Sequence, residues 1–299
     1  MRILLTGASG YIGLHVLREL LADGHEVTAL VRSPGKLGPF VNMPGLRVVS
    51  ADLEQEALVA QALQGHQICV HAALLWGEPG TELDLRDTVV AARLFDAAGR
   101  AHVACCLFIS SAAVHRPFTG EMSEDAPLST TDLYGATKAA GELFLRAACA
   151  QHHMTGVVVR LGPVVGPPAF AAGSFRTDRR LAGMVTAAMD GRPIEVVGGD
   201  GRQLSDVAAV AKAIRLLTSA SNPNPTYICV DQQILTWEWM ARQVVACLDS
   251  RSEVRVLSQM AKGQVPRFRT ERIEQLLGGP AVARDALLAH IHYLAAVSR

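Results

Sequence analysis

The sequence has no excess of charge of either sign and no long hydrophobic run. Lys and Arg together number 28, and so do Asp and Glu, so the formal net charge is zero. A general nucleic-acid binder would carry a basic surface, and this balance argues against that class. No uninterrupted apolar stretch approaches the roughly 20 residues that a membrane-spanning helix needs. We therefore expect no nucleic-acid partner and no membrane partner.

The sequence shows neither the residue pattern expected of a secretory leader nor a metal-binding cysteine pattern. Its N-terminus carries no cationic stretch followed by a small-residue cleavage site. The six cysteines show no paired metal-ligand spacing, and several lie within apolar runs. Free thiols buried in a protein of the reducing cytosol are the simplest interpretation. The expectation is therefore a cytoplasmic protein without a metal site.

Short apolar segments alternate along the chain with segments in which apolar residues recur at helical spacing. Apolar residues make up 49% of the 299 residues and charged residues 19%, as is usual for a globular α/β protein. Strands are predicted over 1–5, 26–31, 47–50, 67–71, 103–109, 156–160, 192–198, 226–230 and 253–257. Helices are predicted over 11–22, 55–63, 83–100, 133–150, 175–190 and 206–219, from 236 onwards, and within 269–279 and 283–297.

The segment TGASGYIG at 6–13 lies where the first predicted strand passes into the first predicted helix. A glycine-rich turn at such a place can hold a pyrophosphate against the helix N-terminus. Gly7 would allow the tight turn, Gly10 the approach of the phosphate, and Gly13 the close packing of helix on strand. The segment predicts dinucleotide binding, and a purely structural turn is the alternative.

Residues after the second and third strands bear on the choice of dinucleotide. Arg32 follows the second strand, about 20 residues beyond the glycine motif, where an Arg suits a 2′-phosphate. Together with Ser33 and Lys36 it favours NADP over NAD, although Arg32 as an exposed loop charge is the alternative. Asp52 and Leu53 follow the third strand. Asp52 would accept from the adenine amino group or cap the next helix.

Small and hydroxyl-bearing residues end the fourth and fifth strands. Ala72 and Ala73 follow His71, at a place where backbone must pass close to a cofactor, and the fifth strand ends in Ser110 and Ser111. We interpret His71 as a packed histidine rather than a catalytic one.

Tyr134 and Lys138 stand four residues apart near the start of a predicted helix. Both side chains therefore project from one helix face. A free phenol has a pKa of about 10, and a neighbouring ammonium would move the pKa toward neutrality, as a general acid or base requires. The same spacing also occurs by chance on many helices.

Taken together, TGASGYIG, Asp52-Leu53, HAA, SSAAV and YGATK, in this order and at these intervals, resemble the extended short-chain dehydrogenase/reductase family, in its epimerase/dehydratase branch. The resemblance runs nearly end to end. It implies that Tyr134 is the acid/base, that Lys138 also binds the nicotinamide ribose, and that Ser111 hydrogen-bonds the reacting oxygen. The implied cofactor site comprises Gly7, Ser9, Gly10, Tyr11, Ile12, Gly13, Arg32, Asp52, Leu53, Ala72, Ala73, Tyr134 and Lys138.

The chain departs from the family pattern in the half that would bind substrate. Pro163 stands where nucleotide-sugar members usually carry Asn, and several residues are missing after the GDG at 199–201. Arg202 would partly replace the lost diphosphate contact. A further cluster of arginines would either contact a diphosphate or form a solvated helix face, and it comprises Arg176, Arg179 and Arg180. Asp87 stands where a helix Asn is common, so the proton relay is expected to differ.

The sequence thus predicts an α/β protein with a Rossmann-type doubly wound parallel sheet over 1–162 and a smaller C-terminal α/β substrate-binding region over 163–299. The expected activity is NAD(P)-dependent hydride transfer at a carbinol or carbonyl carbon of a nucleotide-sugar-like substrate. An NADP-dependent ketoreductase acting on a small carbonyl compound and a non-catalytic NADP-sensing regulator are the alternatives. By resemblance, the helices around 84–100 and 133–150 would form a homodimer.

Other conspicuous side chains are expected to be structural rather than functional. Two tryptophans are assigned to packing, and four histidines, which lack the partners of a metal site, are assigned to the surface. These residues are Trp237, Trp239, His152, His153, His290 and His292.

Overall fold

A computed structural model describes residues 1–75, 86–260 and 265–298. The first half contains β1 (Arg2–Thr6), α1 (Tyr11–Ala22), β2 (Glu26–Val31), β3 (Leu46–Ser50), α2 (Glu56–Leu63), β4 (Ile68–His71), α3 (Arg86–Arg100), β5 (Cys105–Ser111), β6 (Glu121–Met122), α4 (Leu133–His152), β7 (Thr155–Leu161) and β8 (Val164–Val165). The second half contains α5 (Arg179–Met189), β9 (Ile194–Gly198), β10 (Gly201–Arg202), β11 (Ser205–Asp206), α6 (Val207–Thr218), β12 (Thr226–Cys229), β13 (Leu235–Thr236), α7 (Trp237–Cys247), β14 (Val254–Gln259), β15 (Arg267–Phe268), α8 (Glu271–Leu277) and α9 (Arg284–Val297).

Seven strands form one parallel sheet in the order β12-β7-β5-β4-β1-β2-β3. Strand order reverses between β1 and β4, because the chain moves outward through β2 and β3 and then returns to the other side of β1. In such sheets ligands bind in the crevice at the carboxyl ends of the strands, at this reversal. The predicted fold class is confirmed.

Both faces of the sheet are covered, which explains why its central strands are almost wholly apolar. In β1, Ile3 and Leu5 pack into a core with α1 and α6, whereas Leu4 between them packs into the core on the opposite face, with α3 and α4. All three side chains are fully buried. A separate core joins β9, α5, α7 and α9, with Trp237 among its fully buried side chains.

Helix α5 begins at Arg179 rather than at 175, so this predicted boundary is wrong. Asp178 sets the start, because its carboxylate accepts hydrogen bonds from the N–H groups of Arg180 and Leu181. Helix α3 is described from Arg86; its predicted start at 83–85 lies outside the described residues.

Residues 166–178 form a crossing segment that lies over the glycine-rich turn. The Tyr11 hydroxyl donates to the carbonyl oxygen of Gly166 at 2.6 Å, and the Ser174 hydroxyl donates to that of Ser9 at 2.6 Å. His290 on α9 holds the two ends of this segment, since its ring nitrogens lie 2.9 Å from the carbonyl oxygen of Gly166 and 2.9 Å from Thr177 Oγ1.

His290 therefore does not lie on the surface, and that prediction is wrong. The side chain is fully buried, and burial lowers its pKa to about 4, so the ring is neutral at pH 7. His292, two residues later on the same helix, is exposed as expected. Helical spacing explains the difference, because residues two apart point to different sides of a helix.

The cysteines match the expectation of free thiols, and Cys69, Cys106 and Cys229 are buried. Burial raises the pKa of Cys229 to about 12, so this thiol is unreactive near neutral pH. No helix within the described residues combines the length and apolarity needed to cross a bilayer.

Candidate active site

A large cleft of about 1320 Å³ opens at the carboxyl ends of the central strands. Every catalytic and cofactor-site residue that the resemblance implies lines it, with the exception of Lys138, which is buried. These lining residues are Gly7, Ser9, Gly10, Tyr11, Ile12, Gly13, Arg32, Asp52, Leu53, Ala72, Ala73, Ser111 and Tyr134. Motifs that are far apart in the sequence thus meet on one wall of one cleft.

The glycine-rich turn leaves no room for side chains at two of its positions. Gly7 has a φ of +71°, and a Cβ there would lie 2.5 Å from the backbone nitrogen of Ala73. A Cβ on Gly13 would lie 2.0 Å from the carbonyl oxygen of Gly7. Helix α1 begins after Gly10 with no side-chain cap and no acidic residue in its first turn. The first-turn N–H groups therefore suit an anionic group, and this wall fits the pyrophosphate of a dinucleotide.

We expect Gly13→Ala to abolish dinucleotide binding and to destabilise the fold by about 1–3 kcal/mol, because the new methyl group would overlap backbone that cannot retreat. Thermal unfolding and NADPH fluorescence titration measure the two effects. Gly183→Ala in α5 is the matched control, since a Cβ there meets nothing within 4 Å. That change should stabilise the helix by about 0.5–1 kcal/mol. Equal effects at the two positions would contradict the steric argument.

Arg32 and Asp52 lie together at the β2–β3 end of the cleft. The two side chains form an ion pair at 3.9 Å, with the Arg32 side chain 68% exposed. Asp52 does not cap α2, which corrects one of its two predicted roles. Its Oδ1 accepts from the N–H of Glu54 instead, and Gln55 occupies the cap position. Asp52 therefore forms a local turn that fixes its carboxylate beside Arg32.

Ser111 ends β5, where its hydroxyl accepts from the N–H of Ala113 at 3.2 Å and hydrogen-bonds with the side chain of Tyr134. Asp132 caps α4 by accepting from the N–H of Gly135 at 2.9 Å, and this cap sets Tyr134 in the first turn. The structure thus brings the predicted Ser and Tyr into direct contact.

The pKa of Tyr134 is raised, not lowered toward neutrality as the sequence suggested. Burial is the main cause, and the carboxylate of Asp87 adds to it. The hydrogen bond from Ser111 and the positive charges of Arg176 and Arg116 act in the opposite direction. In the chain itself, therefore, Tyr134 is a phenol at neutral pH and can donate a proton.

Lys138 lies one turn after Tyr134 and is 3% exposed. Its Nζ lies 3.7 Å from Asp87 Oδ2 and 5.1 Å from the centre of the Phe108 ring. Burial lowers the pKa of Lys138, and Asp87 raises it. The sequence identified Asp87 only as a departure from a pattern, whereas the structure makes it the charge partner of Lys138.

His71 is packed beneath this site, as predicted. It stacks on Phe108 and lies 2.7 Å from the hydroxyl of Thr6. Burial and the charge on Lys138 lower its pKa to about 3, so the ring stays neutral and has no role as a base near pH 7.

The opposite wall of the cleft comes from the second half of the chain, and the sequence predicted only part of it. Trp237 is 2% exposed and packed, as predicted, yet it also lines the cleft. The guanidinium groups of Arg180 and Arg202 lie 4.3 Å and 5.2 Å from its ring centre. Its Nε1 has no acceptor within the described part of the chain. The chain between β10 and β11 is short, which agrees with the residues missing after GDG.

Several other lining residues carried no signal in the sequence. Five of them sit in loops or short strands without periodicity, namely Leu75, Arg116, Phe118, Gln203 and Phe268, and the sixth, Met240, lies on α7. Only the topology brings them to the cleft. Within the described residues, no group of three His, Cys, Asp or Glu side chains is placed to hold a metal ion.

Comparison with known proteins bears on this site. The sequence pattern of the NAD dependent epimerase/dehydratase family matches residues 3–228. A dTDP-glucose 4,6-dehydratase of Actinoplanes sp. is 30% identical over 242 residues, covering 74% of this chain and 72% of the relative. A 4-hydroxy-2-methyl-3-oxo-4-farnesyl-3,4-dihydroquinoline-1-oxide ketoreductase of Stigmatella aurantiaca is 32% identical over 165 residues, covering 53% of this chain and 49% of the relative. In fold, the chain is similar to UDP-glucuronic acid 4-epimerase from Bacillus cereus in complex with NAD, with a TM-score of 0.83, 18% identity and full coverage of both chains.

Proposed function

The chain belongs to the NAD dependent epimerase/dehydratase family, and from that premise we propose that it catalyses hydride transfer at a carbinol or carbonyl carbon of a nucleotide-sugar-like substrate. The observation that carries this proposal is the contact of Ser111 with Tyr134 in the same cleft as the glycine-rich turn. Relatives named as nucleotide-sugar dehydratases and epimerases support the substrate class.

We assign the chemistry to three side chains of the first half. Tyr134 exchanges a proton with the reacting oxygen, and the hydroxyl of Ser111 orients that oxygen by a hydrogen bond. Lys138 holds the nicotinamide ribose. A bound nicotinamide dinucleotide supplies the acceptor and donor of the hydride. The remaining predicted contact residues, from Gly7 to Ala73, hold the pyrophosphate, adenine and ribose.

Residues 163–299 form the substrate-binding region in this proposal. Arg176 and Arg202 line the cleft across from Tyr134, and they supply the positive charge that a nucleoside diphosphate requires. Incubating the purified protein with UDP- and dTDP-hexoses and separating the products by anion-exchange chromatography tests the substrate class. Formation of an epimer or a 4-keto sugar supports it, and no turnover of any nucleotide sugar contradicts it.

Within the same proposal the preferred cofactor is NADP. Arg32 is exposed at the cleft, where a guanidinium can bind a 2′-phosphate, although Asp52 competes for it at 3.9 Å. We expect Arg32→Ala to weaken NADPH binding about tenfold or more and to change NADH binding little, since loss of one charged hydrogen-bonding group costs about 1.5–3 kcal/mol. Fluorescence titration with both cofactors measures this. Equal NADH and NADPH affinities in the unmodified protein, or NAD retained through purification, would contradict the preference for NADP.

A second candidate is an NADP-dependent ketoreductase acting on a small carbonyl compound. The short connection between Arg202 and Ser205 favours it, because less chain is present to hold a diphosphate. The ketoreductase relative supports the same reading of the site. Oxidation of NADPH by ketones that carry no nucleotide, with no reaction on nucleotide sugars, would favour this candidate.

We also propose that the protein is a homodimer formed through α3 and α4. Large apolar side chains are exposed on these two helices, namely Val89, Leu133, Leu143 and Phe144. An exposed apolar surface of this kind commonly marks an interface between protein chains. Sedimentation equilibrium should give twice the chain mass of 31.9 kDa, and a monomer mass would contradict the proposal.

A further inference from the structure

Asp87 and Lys138 form an ion pair that is almost completely removed from water. Asp87 is 6% exposed and Lys138 3%. The carboxylate uses its two oxygens separately, since Oδ2 lies 3.7 Å from Lys138 Nζ and Oδ1 accepts from the N–H of Leu75 at 2.8 Å. Leu75 itself lines the cleft. One side chain on α3 thus connects α4 with the segment that follows β4.

We propose that Asp87 is a positioning residue for hydride transfer, whose carboxylate holds the Lys138 ammonium in place and fixes Leu75 at the edge of the cleft. This inference rests on the proposed roles of Tyr134 and Lys138. It assigns Asp87 no contact with substrate or cofactor.

A structural role alone does not account for a charged pair at this place. Burying two charges costs several kcal/mol of desolvation, which their attraction offsets only with good geometry and further hydrogen bonds. A separation of 3.7 Å is long for a strong charge-assisted bond. A pair of apolar side chains would fill the space with equal or better stability. The ion pair is better explained by the need for a charged lysine beside Tyr134.

The charges around the ion pair determine how loss of the Asp87 charge would change the pKa values of Lys138 and Tyr134. Burial favours a neutral Lys138 by lowering its pKa, and Asp87 opposes this. Asp87 also raises the pKa of Tyr134, while Arg176 and Arg116 lower it from the opposite wall and from the loop after β5. His71, which faces Lys138 from β4, is neutral. Removing the charge of Asp87 should therefore let both Lys138 and Tyr134 lose their protons at lower pH.

The test compares Asp87→Asn with Asp96→Asn. The first change keeps an oxygen that can accept from Leu75 N–H and removes only the charge. The second makes the same change on the same helix at a carboxylate that pairs with Arg100 and His152 instead. NADH and NADPH are titrated by fluorescence from pH 6 to pH 9, and the pH dependence of kcat is measured with whichever substrate the protein turns over.

We expect the cofactor dissociation constant of Asp87→Asn to rise about tenfold across this range, as Lys138 loses its charge, while Asp96→Asn follows the unmodified protein. The limb of the pH–kcat profile that reports Tyr134 should move to lower pH, because the Asp87 carboxylate contributes to the raised pKa of Tyr134. Asp87→Glu, which retains the charge, should restore most of the original pH dependence. Should Asp87→Asn fail to fold, Asp87→Ser takes its place in the same comparison.

A lower unfolding temperature with unchanged pH dependence of binding would overturn the inference, because it would show a structural role only. The binding titration needs no substrate. If no nucleotide sugar or ketone is turned over, the proposed function fails while the titration still decides the role of Asp87.

Discussion

Tyr134→Phe is expected to lower kcat by about 10³-fold while leaving the affinity for NADPH within about twofold. The change removes one oxygen atom, and with it the only group in the proposed mechanism that exchanges a proton with the reacting oxygen. General acid–base catalysis of this kind contributes about 10²–10⁴-fold. The ring itself remains packed, so the cleft should keep its shape. Steady-state kinetics with the identified substrate and fluorescence titration of the cofactor give the two numbers.

Tyr227→Phe is the matched control for this prediction. This change also removes a tyrosine hydroxyl, but the Tyr227 hydroxyl accepts from the N–H of Asn224. Tyr227 is 4% exposed and lies outside the cleft. The kcat of Tyr227→Phe should stay within about twofold of that of the unmodified protein. The loss of one hydrogen bond should lower only the free energy of unfolding, by a small amount. Equal kcat values for Tyr134→Phe and the unmodified protein would remove Tyr134 from the mechanism.

The raised pKa of Tyr134 determines how the rates of reduction and oxidation should depend on pH. Because burial favours the phenol, a step in which Tyr134 donates a proton proceeds across the neutral range without loss. A step in which it accepts a proton needs the phenolate, so oxidation of a carbinol should accelerate as the pH rises. The Ser111 hydrogen bond and the Arg176 charge limit the shift, since both favour the phenolate.

The sequence predicted the parts of the site that depend on local chemistry. Gly7 and Gly13 are recognisable because a side chain at either position would overlap backbone. Tyr134 is recognisable because a helix has 3.6 residues per turn, which places Lys138, four residues later, on the same face. The same local signals placed α1 and β2 at the residues where the structure has them.

What the sequence could not predict depends on pairs of residues that only the fold brings together. Asp87 and Lys138 belong to different helices. Burial, with a smaller contribution from the Asp87 carboxylate, raises the pKa of Tyr134, which the lysine was expected to lower. His290 lies more than a hundred residues from Gly166, so nothing near it in the sequence indicates a buried partner. Arg116 and Phe268 reach the cleft from loops and edges that have no periodic pattern.

The largest stability effect should come from a second buried ion pair, beneath the end of β5. Arg160 Nη2 lies 2.7 Å from Glu142 Oε2, with side chains 3% and 1% exposed. Ser110, next to Ser111, donates to Glu142 Oε1 at 2.6 Å, and Arg160 also donates to the carbonyl oxygen of Glu124 at 2.9 Å. The two charges therefore neutralise each other and are hydrogen-bonded. If either side chain is removed, the other charge remains buried without a counter-charge.

Glu142→Leu should destabilise the protein by about 3–5 kcal/mol, because it leaves the Arg160 guanidinium buried without its counter-charge. Arg160→Met should cost a similar amount for the opposite reason. The double variant should recover most of the loss, since an apolar pair avoids the desolvation of both ions. Urea denaturation of the four proteins gives the free energies of unfolding and the coupling energy between the two positions.

The exposed pair of Glu238 and Arg242 on α7 is the control for this cycle. It has a comparable separation of 2.9 Å, but its side chains are 31% and 59% exposed. Its removal by Glu238→Ala should cost at most about 0.5 kcal/mol, because water solvates the remaining charge. If Glu142→Leu cost no more than Glu238→Ala, burial would not control the strength of these pairs. If the double variant were as unstable as the two single variants combined, the charges at Glu142 and Arg160 would act independently, and the bonds to Ser110 and Glu124 would account for the loss instead.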